Sequence, residues 1–260
     1  MFKHFLGIGL ICVVAFSTQA QATGVEVAIG GWQQCPGGEM SYKAINDNDN
    51  LDLEDDLGYE SENRIMGRLK IDMPLAVPNI YLVAAPMSFE GTGNKPIDFT
   101  FGDQTFRADA DICSKVTINQ YDIAFFWGIP GIPTATAGKF NLDVGVNARF
   151  LDLSAEIEGE SALISGQAVS EDESVTVVIP MLYLAAQFMP IEKFAVEAEA
   201  RGISIGGNSL ISIMGRAKFQ FAGPAFVAAG YRLDTLDIDQ DDILVDISFS
   251  GPFAELGLNF

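Results

Sequence analysis

The chain has 260 residues, with 15 Lys and Arg against 35 Asp and Glu, and is acidic by 20 charges. That sign argues against nucleic acid as a partner, because phosphate binding needs clustered Lys and Arg. Hydrophobic residues make up 48% of the chain, enough for one substantial core. Beyond residue 22, however, no stretch approaches the ~18–20 apolar residues of a membrane-spanning helix.

Residues 1–22, MFKHFLGIGLICVVAFSTQAQA, start basic at Lys3, run apolar from Phe5 to Phe16 and end in a small-residue cleavage pattern. This reads as a secretory signal peptide, leaving residues 23–260 as the mature unit. The only histidine, His4, departs with it. So does Cys12, which follows Ile11 rather than the small residue that lipoprotein processing requires.

From residue 25 the chain reads as short strands of alternating character. In VEVAIGGW, Val25, Val27 and Ile29 oppose Glu26. In RIMGRLKIDM, Ile65, Leu69 and Ile71 oppose Arg64, Arg68, Lys70 and Asp72. FNLDVGVNARF sets Phe140, Leu142, Val144, Val146 and Phe150 against Asp143 and Arg149. FAVEAEARG opposes Phe194, Val196 and Ala198 to Glu197, Glu199 and Arg201. IMGRAKFQF opposes Ala217 and Phe219 to Arg216 and Lys218, and VAAGYRLDT opposes Val227 and Tyr231 to Arg232 and Asp234. Segments near 80–91, 115–127 and 175–188 are less regular but rich in β-branched and aromatic residues, and include Asp122. About ten strands result, with eight as the alternative, and no sustained helical period appears.

The connections alternate. PLAVPN, GIPGIPTATAGK, MPIEK and AGPA are short or rich in Pro and Gly. Stretches 34–63, 92–114, 152–173 and 237–242 read as acidic loops holding most of the carboxylates, with GGNS a tight exception. Short turns at one end and long loops at the other predict an all-β, antiparallel, up-and-down transmembrane β-barrel.

The chain ends on PFAELGLNF, where Ala254, Leu256, Leu258 and Phe260 share one face and Glu255 lies on the other. Ile243, Val245, Ile247 and Phe249 share a face at odd positions, so a bulge at Gly251-Pro252 is expected to shift the register by one.

If the apolar faces meet lipid, the lumen collects Glu26, Asp72, Asp122, Asp143, Glu197, Glu199, Asp234 and Glu255. It also collects Arg64, Arg68, Lys70, Arg149, Arg201, Arg216, Lys218 and Arg232. Eight acids against eight bases is the balance that mutual neutralisation in a narrow enclosure requires. A selective pore would show a ring of one sign.

Taken in order, Gly30-Gly31-Trp32, PLAVPN (74–79), QYD (120–122), PMLYL (180–184), GYR (230–232), Gly251-Pro252 and Phe260 resemble the Gly-Gly family of proteobacterial outer-membrane β-barrel proteins. The resemblance implies a signal-bearing outer-membrane barrel of a Gram-negative cell envelope and carries no catalytic residues. Phe260 resembles the terminal sorting signal read by the barrel-assembly machinery.

Imidazole-based hydrolysis has no base in the mature chain, and Glu197 and Glu199 are the obvious candidates for hydrolysis by carboxylates alone. No enzyme and no cofactor are expected. NDNDNLDLEDD (46–56) lacks EF-hand spacing and reads as a solvated, mobile loop that gathers divalent cations at most. Cys35 and Cys113 either pair or stay as free thiols. Trp32, Tyr59, Tyr81, Tyr121, Trp127 and Tyr231 are the candidates for interfacial aromatic belts. The sequence thus leaves two functions open. One is a structural, porin-like barrel or narrow solute conduit. The other is a surface protein whose acidic loops meet divalent cations, lipopolysaccharide or another cell.

Overall fold

A computed structural model describes residues 24–74, 77–164, 166–240 and 242–260. Residues 1–22, read above as a signal peptide, with Lys3, His4 and Cys12, lie outside the described residues.

Among the described residues fourteen strands follow in chain order: β1 Val25–Tyr42, β2 Leu51–Asp52, β3 Glu62–Ile71, β4 Asn79–Ala84, β5 Met87–Gly93, β6 Phe99–Phe101 and β7 Gln104–Phe106. Then come β8 Ile112–Gly128, β9 Phe140–Glu160, β10 Ala168–Ile191, β11 Phe194–Ile205, β12 Asn208–Ala222, β13 Ala225–Gln240 and β14 Ile243–Asn259. A one-turn helix, α1 Ile132–Ala135, fills the connection between β8 and β9.

Each long strand pairs antiparallel with its sequence neighbour, and β14 closes on β1. β4 and β5 keep one register against β8, from Asn79↔Phe126 to Gly93↔Ile112, and so form a single stave. The barrel therefore has ten staves, not eight. At closure Val25 and Phe260 exchange two backbone hydrogen bonds of 3.1 and 2.9 Å. Both described chain ends lie at the end with the short connections, called here the turn end.

Along β9 the outward residues Val144, Val146 and Phe150 are exposed and apolar, and Asn147 and Arg149 point inward and are buried. From Phe140 to Phe150 this band is about 25 Å tall after tilt, the height of a hydrocarbon layer. At Leu151 the pattern inverts. Leu151 and Ile157 are now buried inside, while Asp152, Ser154, Glu156 and Glu158 are exposed outside. Parity never changes; the two media swap sides. The toggle is printed in the sequence as two adjacent apolar residues, Phe150-Leu151.

β14 obeys the same rule, and the bulge expected at Gly251-Pro252 is absent. Its pairing with β13 is continuous from Ala225↔Leu258 to Gln240↔Ile243, with Tyr231↔Pro252 inside it. Ile247 and Phe249 point into an apolar interior near the loop end, and Leu256 and Leu258 point outward near the turn end. One unshifted strand serves both. Pro252 acts on the other side, where the ladder to β1 lapses between Trp32↔Phe253 and Cys35↔Ser250. Proline has no N–H to give there.

Two other prolines mark ladder ends. Pairing of β10 with β11 stops at Leu182, two residues past Pro180. Pairing of β3 with β4 stops at Gly67↔Ala84, just before Pro86, and β3 residues 62–66 have no ladder to β5. Side chains fill that split: Gln34 Nε2 donates to the Pro86 carbonyl at 3.1 Å and Arg64 Nη2 to that of Ser88 at 2.5 Å.

Glycine is required where staves crowd. A Cβ on Gly30 would stand 2.1 Å from the Ala254 carbonyl oxygen, and one on Gly257 would stand 2.2 Å from the Phe226 ring. Both positions let the wall coil tightly.

The loop stretches are more ordered than the sequence reading expects. Residues 34–42, 152–160 and 168–173 continue barrel strands beyond the apolar band. Residues 46–56 are packed, with Leu51 and Leu53 buried beside Leu57 and Tyr59. Three of the carboxylates face the chain's own amides. Asp49 accepts from the N–H of Ile45, Asn46 and Thr100, and Asp52 from Glu54 and Asp55. Asp56 accepts from Asp52 N–H and pairs with Lys95 at 2.7 Å. These acids are structural caps, which is why an acidic segment folds inward.

Cys35 and Cys113 are free. Both lie on outward positions, on β1 and β8, with the β3 and β4–β5 staves between them. Three inter-strand steps put them roughly 14 Å apart, twice the reach of a disulfide.

Candidate functional site

The interior has two layers of opposite chemistry. Within the apolar band lies an ionic layer, and above it, toward the loop end, lies an apolar one.

Four acids and four bases form a continuous chain in the ionic layer. Arg68, fully buried, binds Glu26 at 2.5 Å and Glu255 at 2.8 Å. Lys218 bridges Glu26 at 2.9 Å and Glu197 at 2.6 Å. Arg216 joins Glu197 at 2.5 Å to Glu199 at 2.6 Å, and Arg201 closes on Glu199 at 2.9 Å. These side chains alternate along β1, β3, β11, β12 and β14, so the strand period aims every second residue at the axis. Arg201 also lies 5.2 Å from the ring centres of both Tyr81 and Tyr183.

A second, smaller set is also balanced. Arg149 forks onto Asp122 at 2.8 and 2.9 Å, and Arg232 onto Asp234 at 3.2 and 2.7 Å. Asn147 adds a donor to Asp122, and Ser212 and Gln120 add donors to Asp234. Arg232 stacks over Trp32 at 4.6 Å.

The remaining predicted lumen charges lie elsewhere. Lys70 stands at the turn-end mouth, 3.7 Å from Asp143 and 4.0 Å from the exposed Asp72. Arg64 is outside the ionic layer altogether. It occupies the β3–β5 split, 3.7 Å from Glu62.

All four oxygens of the Glu197–Glu199 pair are occupied. Glu197 accepts from Gln187, Lys218 and Arg216, and Glu199 from Tyr81, Arg216 and Arg201. Neither carboxylate is free to act as a base toward a solute.

The apolar layer is the part that strand-by-strand sequence reading missed. Trp32, Met66, Met87, Phe89, Met181, Met214, Phe249 and Phe253 from the staves converge on the axis. Segment 51–59 enters from above as a stopper. Leu53 N–H donates to the Gly38 carbonyl, and Tyr59 stacks on Phe89 at 6.1 Å. The β6–β7 hairpin covers it with Phe99, Phe101 and Phe106. The residual void beneath, between Met87, Leu210, Leu236 and Phe249, is about 20 Å³, too small for more than one water.

The six proposed belt aromatics divide. Trp32, Tyr59 and Tyr81 are buried inside, whereas Tyr121, Trp127 and Tyr231 face outward. Tyr121 pairs with Phe150 at the upper edge of the band, and Trp127 with Val144 nearer the lower edge. Phe260 is 68% exposed at the turn end.

No family model and no curated protein matches the sequence. Among solved structures, the chain is similar to the outer membrane protease OmpT from Escherichia coli. The identity is 10% over 94% of this chain and 100% of that one, with a TM-score of 0.61. More distant likenesses include Ail, the attachment invasion locus protein of Yersinia pestis, at 10% identity, 92% and 100% coverage and a TM-score of 0.34. The translocator domain of the autotransporter NalP from Neisseria meningitidis follows at 11%, 93% and 90%, and 0.41. The fold is that of the outer-membrane β-barrels.

Proposed function

We propose that the chain is an integral protein of the bacterial outer membrane with a closed lumen, acting through the folded head that it presents outside the cell. Residues 1–22 serve export, Phe260 marks the chain for the assembly machinery, and the turn end faces the periplasm. The motifs from Gly30 to Phe260 support membership of the Gly-Gly family. The single observation that carries the closed reading is the apolar stopper. A solute passing the ionic layer would next meet a dry core of aromatic, Leu and Met side chains, where a charge has no partner. The narrow conduit left open by the sequence is therefore the weaker reading. A non-enzymatic role is supported by the saturation of Glu197 and Glu199.

The head's outer wall carries exposed Asp152, Glu156, Glu158 and Asp172 above the band, with Glu90 beside them neutralised by Lys115. At that height lie lipopolysaccharide phosphates, which an acidic wall meets through divalent cations. We assign the head to that contact.

Planar bilayers test closure: the reconstituted mature protein should give no unitary steps. Reproducible openings that change with Arg216→Met or Lys218→Met would restore the conduit. For the head, vesicles containing lipopolysaccharide should retain it with Mg²⁺ and release it with chelator. Retention unaffected by chelator would remove the bridging role.

A further inference from the structure

The stopper makes the turn-end half of the lumen a blind vestibule, and its chemistry is independent of what the head does. Its volume is about 320 Å³, within the range of small-molecule sites. Above its floor the four-acid, four-base chain is neutral and tightly bonded, with its seven linking pairs at 2.5–2.9 Å. The mouth differs. Asp72 and Asp143 stand 4.0 and 3.7 Å from Lys70, both too long for hydrogen bonds, and Glu192 and Lys193 line the same mouth, making three acids against two ammonium groups. One negative charge is left over in a recess walled by protein and, outside that, by the apolar band.

A second observation points to a ligand. The Tyr183 side chain is 2% exposed and lines the same recess, yet its hydroxyl makes no hydrogen bond among the described residues. Neighbouring polar groups are engaged: Tyr81 donates to Glu199, Asn141 to Gln187, and Gln187 to Glu197. A hydroxyl that opens onto the recess, with Asp143 beside it on the neighbouring strand, is arranged to accept from a donor cation.

The walls indicate which cation. Phe126 and Tyr183 pack with ring centres 5.3 Å apart, and Lys70 Nζ already stands 5.0 Å over Phe126. Aromatic faces attract an alkylammonium, which sheds its water readily, more than a hydrated metal ion. No group of three or more carboxylates, cysteines or histidines converges as a metal site among the described residues.

We propose that this blind vestibule binds a small organic ammonium from the periplasmic side. Its nitrogen donates to Asp143 and the Tyr183 hydroxyl, and its alkyl chain lies on Phe126. Lys70 is the built-in competitor for the same aromatic face.

The test is a titration of the folded, full-length mature protein in detergent with butylammonium, following ¹³C-labelled Phe and Tyr ring signals. Saturable shifts are expected at Phe126 and Tyr183. Asp143→Asn should weaken binding by about tenfold or more, the cost of removing a charge partner. Tyr183→Phe should weaken it severalfold. Lys70→Met should move the midpoint to lower concentration, a gain that misfolding cannot mimic. Three results would each overturn the proposal: no saturable shift at these rings, an equal response to Mg²⁺ or K⁺ at matched ionic strength, or midpoints unchanged in both Asp143→Asn and Lys70→Met. None depends on whether the head binds lipopolysaccharide.

Discussion

At the scale of single residues, the interior charges were legible because strand parity assigns them inward, and parity survives without any knowledge of length or tilt. Glu26, Glu197, Glu199, Arg201, Arg216 and Glu255 are all buried on the axis. Their partners were not legible. Which arginine meets which carboxylate depends on stagger between staves, as with Arg68 and Glu255, 187 positions apart and joined at 2.9 Å. Arg64 obeys parity yet misses the ionic layer, because it stands at the level where the interior turns apolar. Arg216 serves two carboxylates, so Arg216→Met should destabilise the barrel by about 3–5 kcal/mol by leaving buried charge uncompensated. Urea unfolding in lipid, read by heat-modifiable gel mobility, measures it. In the head, burial pushes the Tyr59 phenol up to about 12. A tyrosine in the unfolded chain ionises near 10. Between pH 10 and 12 the unfolded state therefore releases a proton that the folded head keeps, and stability falls by about 2–3 kcal/mol across that window. Lys43, raised by its hydrogen bond to Asp103, acts in the same direction, since its contribution is lost as pH rises. Unfolding midpoints across that window should flatten in Tyr59→Phe.

At the scale of elements, the strands were readable from alternation, but their lengths were not. A strand that crosses from lipid into water keeps its geometry while its outward residues change from apolar to acidic. Read by polarity alone, residues 152–173 become a loop; in the fold 152–160 and 168–173 are the upper parts of β9 and β10. The same confusion produced the expected bulge in β14. What separates the two cases is a doubled apolar pair, as at Phe150-Leu151, without any turn residue beside it. The inversion makes one outward face respond oppositely at two heights. Val146→Arg, in mid-band, should cost about 2–4 kcal/mol, while Ser154→Arg, above it, should cost at most about 1 kcal/mol. Equal costs in the same lipid-unfolding assay would show that β9 is solvated uniformly along its length.

At the scale of the whole molecule, ten staves with ionic packing below and apolar packing above make a vessel closed at one end. The barrel class followed from the signal-like N-terminal stretch, turn asymmetry and the terminal ladder. The closure did not, because Leu51, Leu53 and Leu57 are interspersed with six acids in residues 47–56 and look solvated until Asp49, Asp52 and Asp56 are seen capping backbone amides. The silent bilayer expected of the intact protein is thus a property of tertiary packing rather than of lumen charge, and neutralising the ionic layer should not by itself create conduction.

The stopper also straddles the place where the chain's two ends meet. Leu53 hangs from β1 through Gly38, Tyr59 lies on Phe89, and Phe89 stacks at 5.3 Å on Phe249 of β14. It clasps first and last staves from within, much as a keystone holds an arch whose final stones were set from opposite sides. During biogenesis those greasy surfaces stay orphaned until the cylinder zips shut. Seating the stopper and pairing β14 with β1 therefore belong to one late event, and a chain exported as proposed must hold those surfaces apart until it occurs.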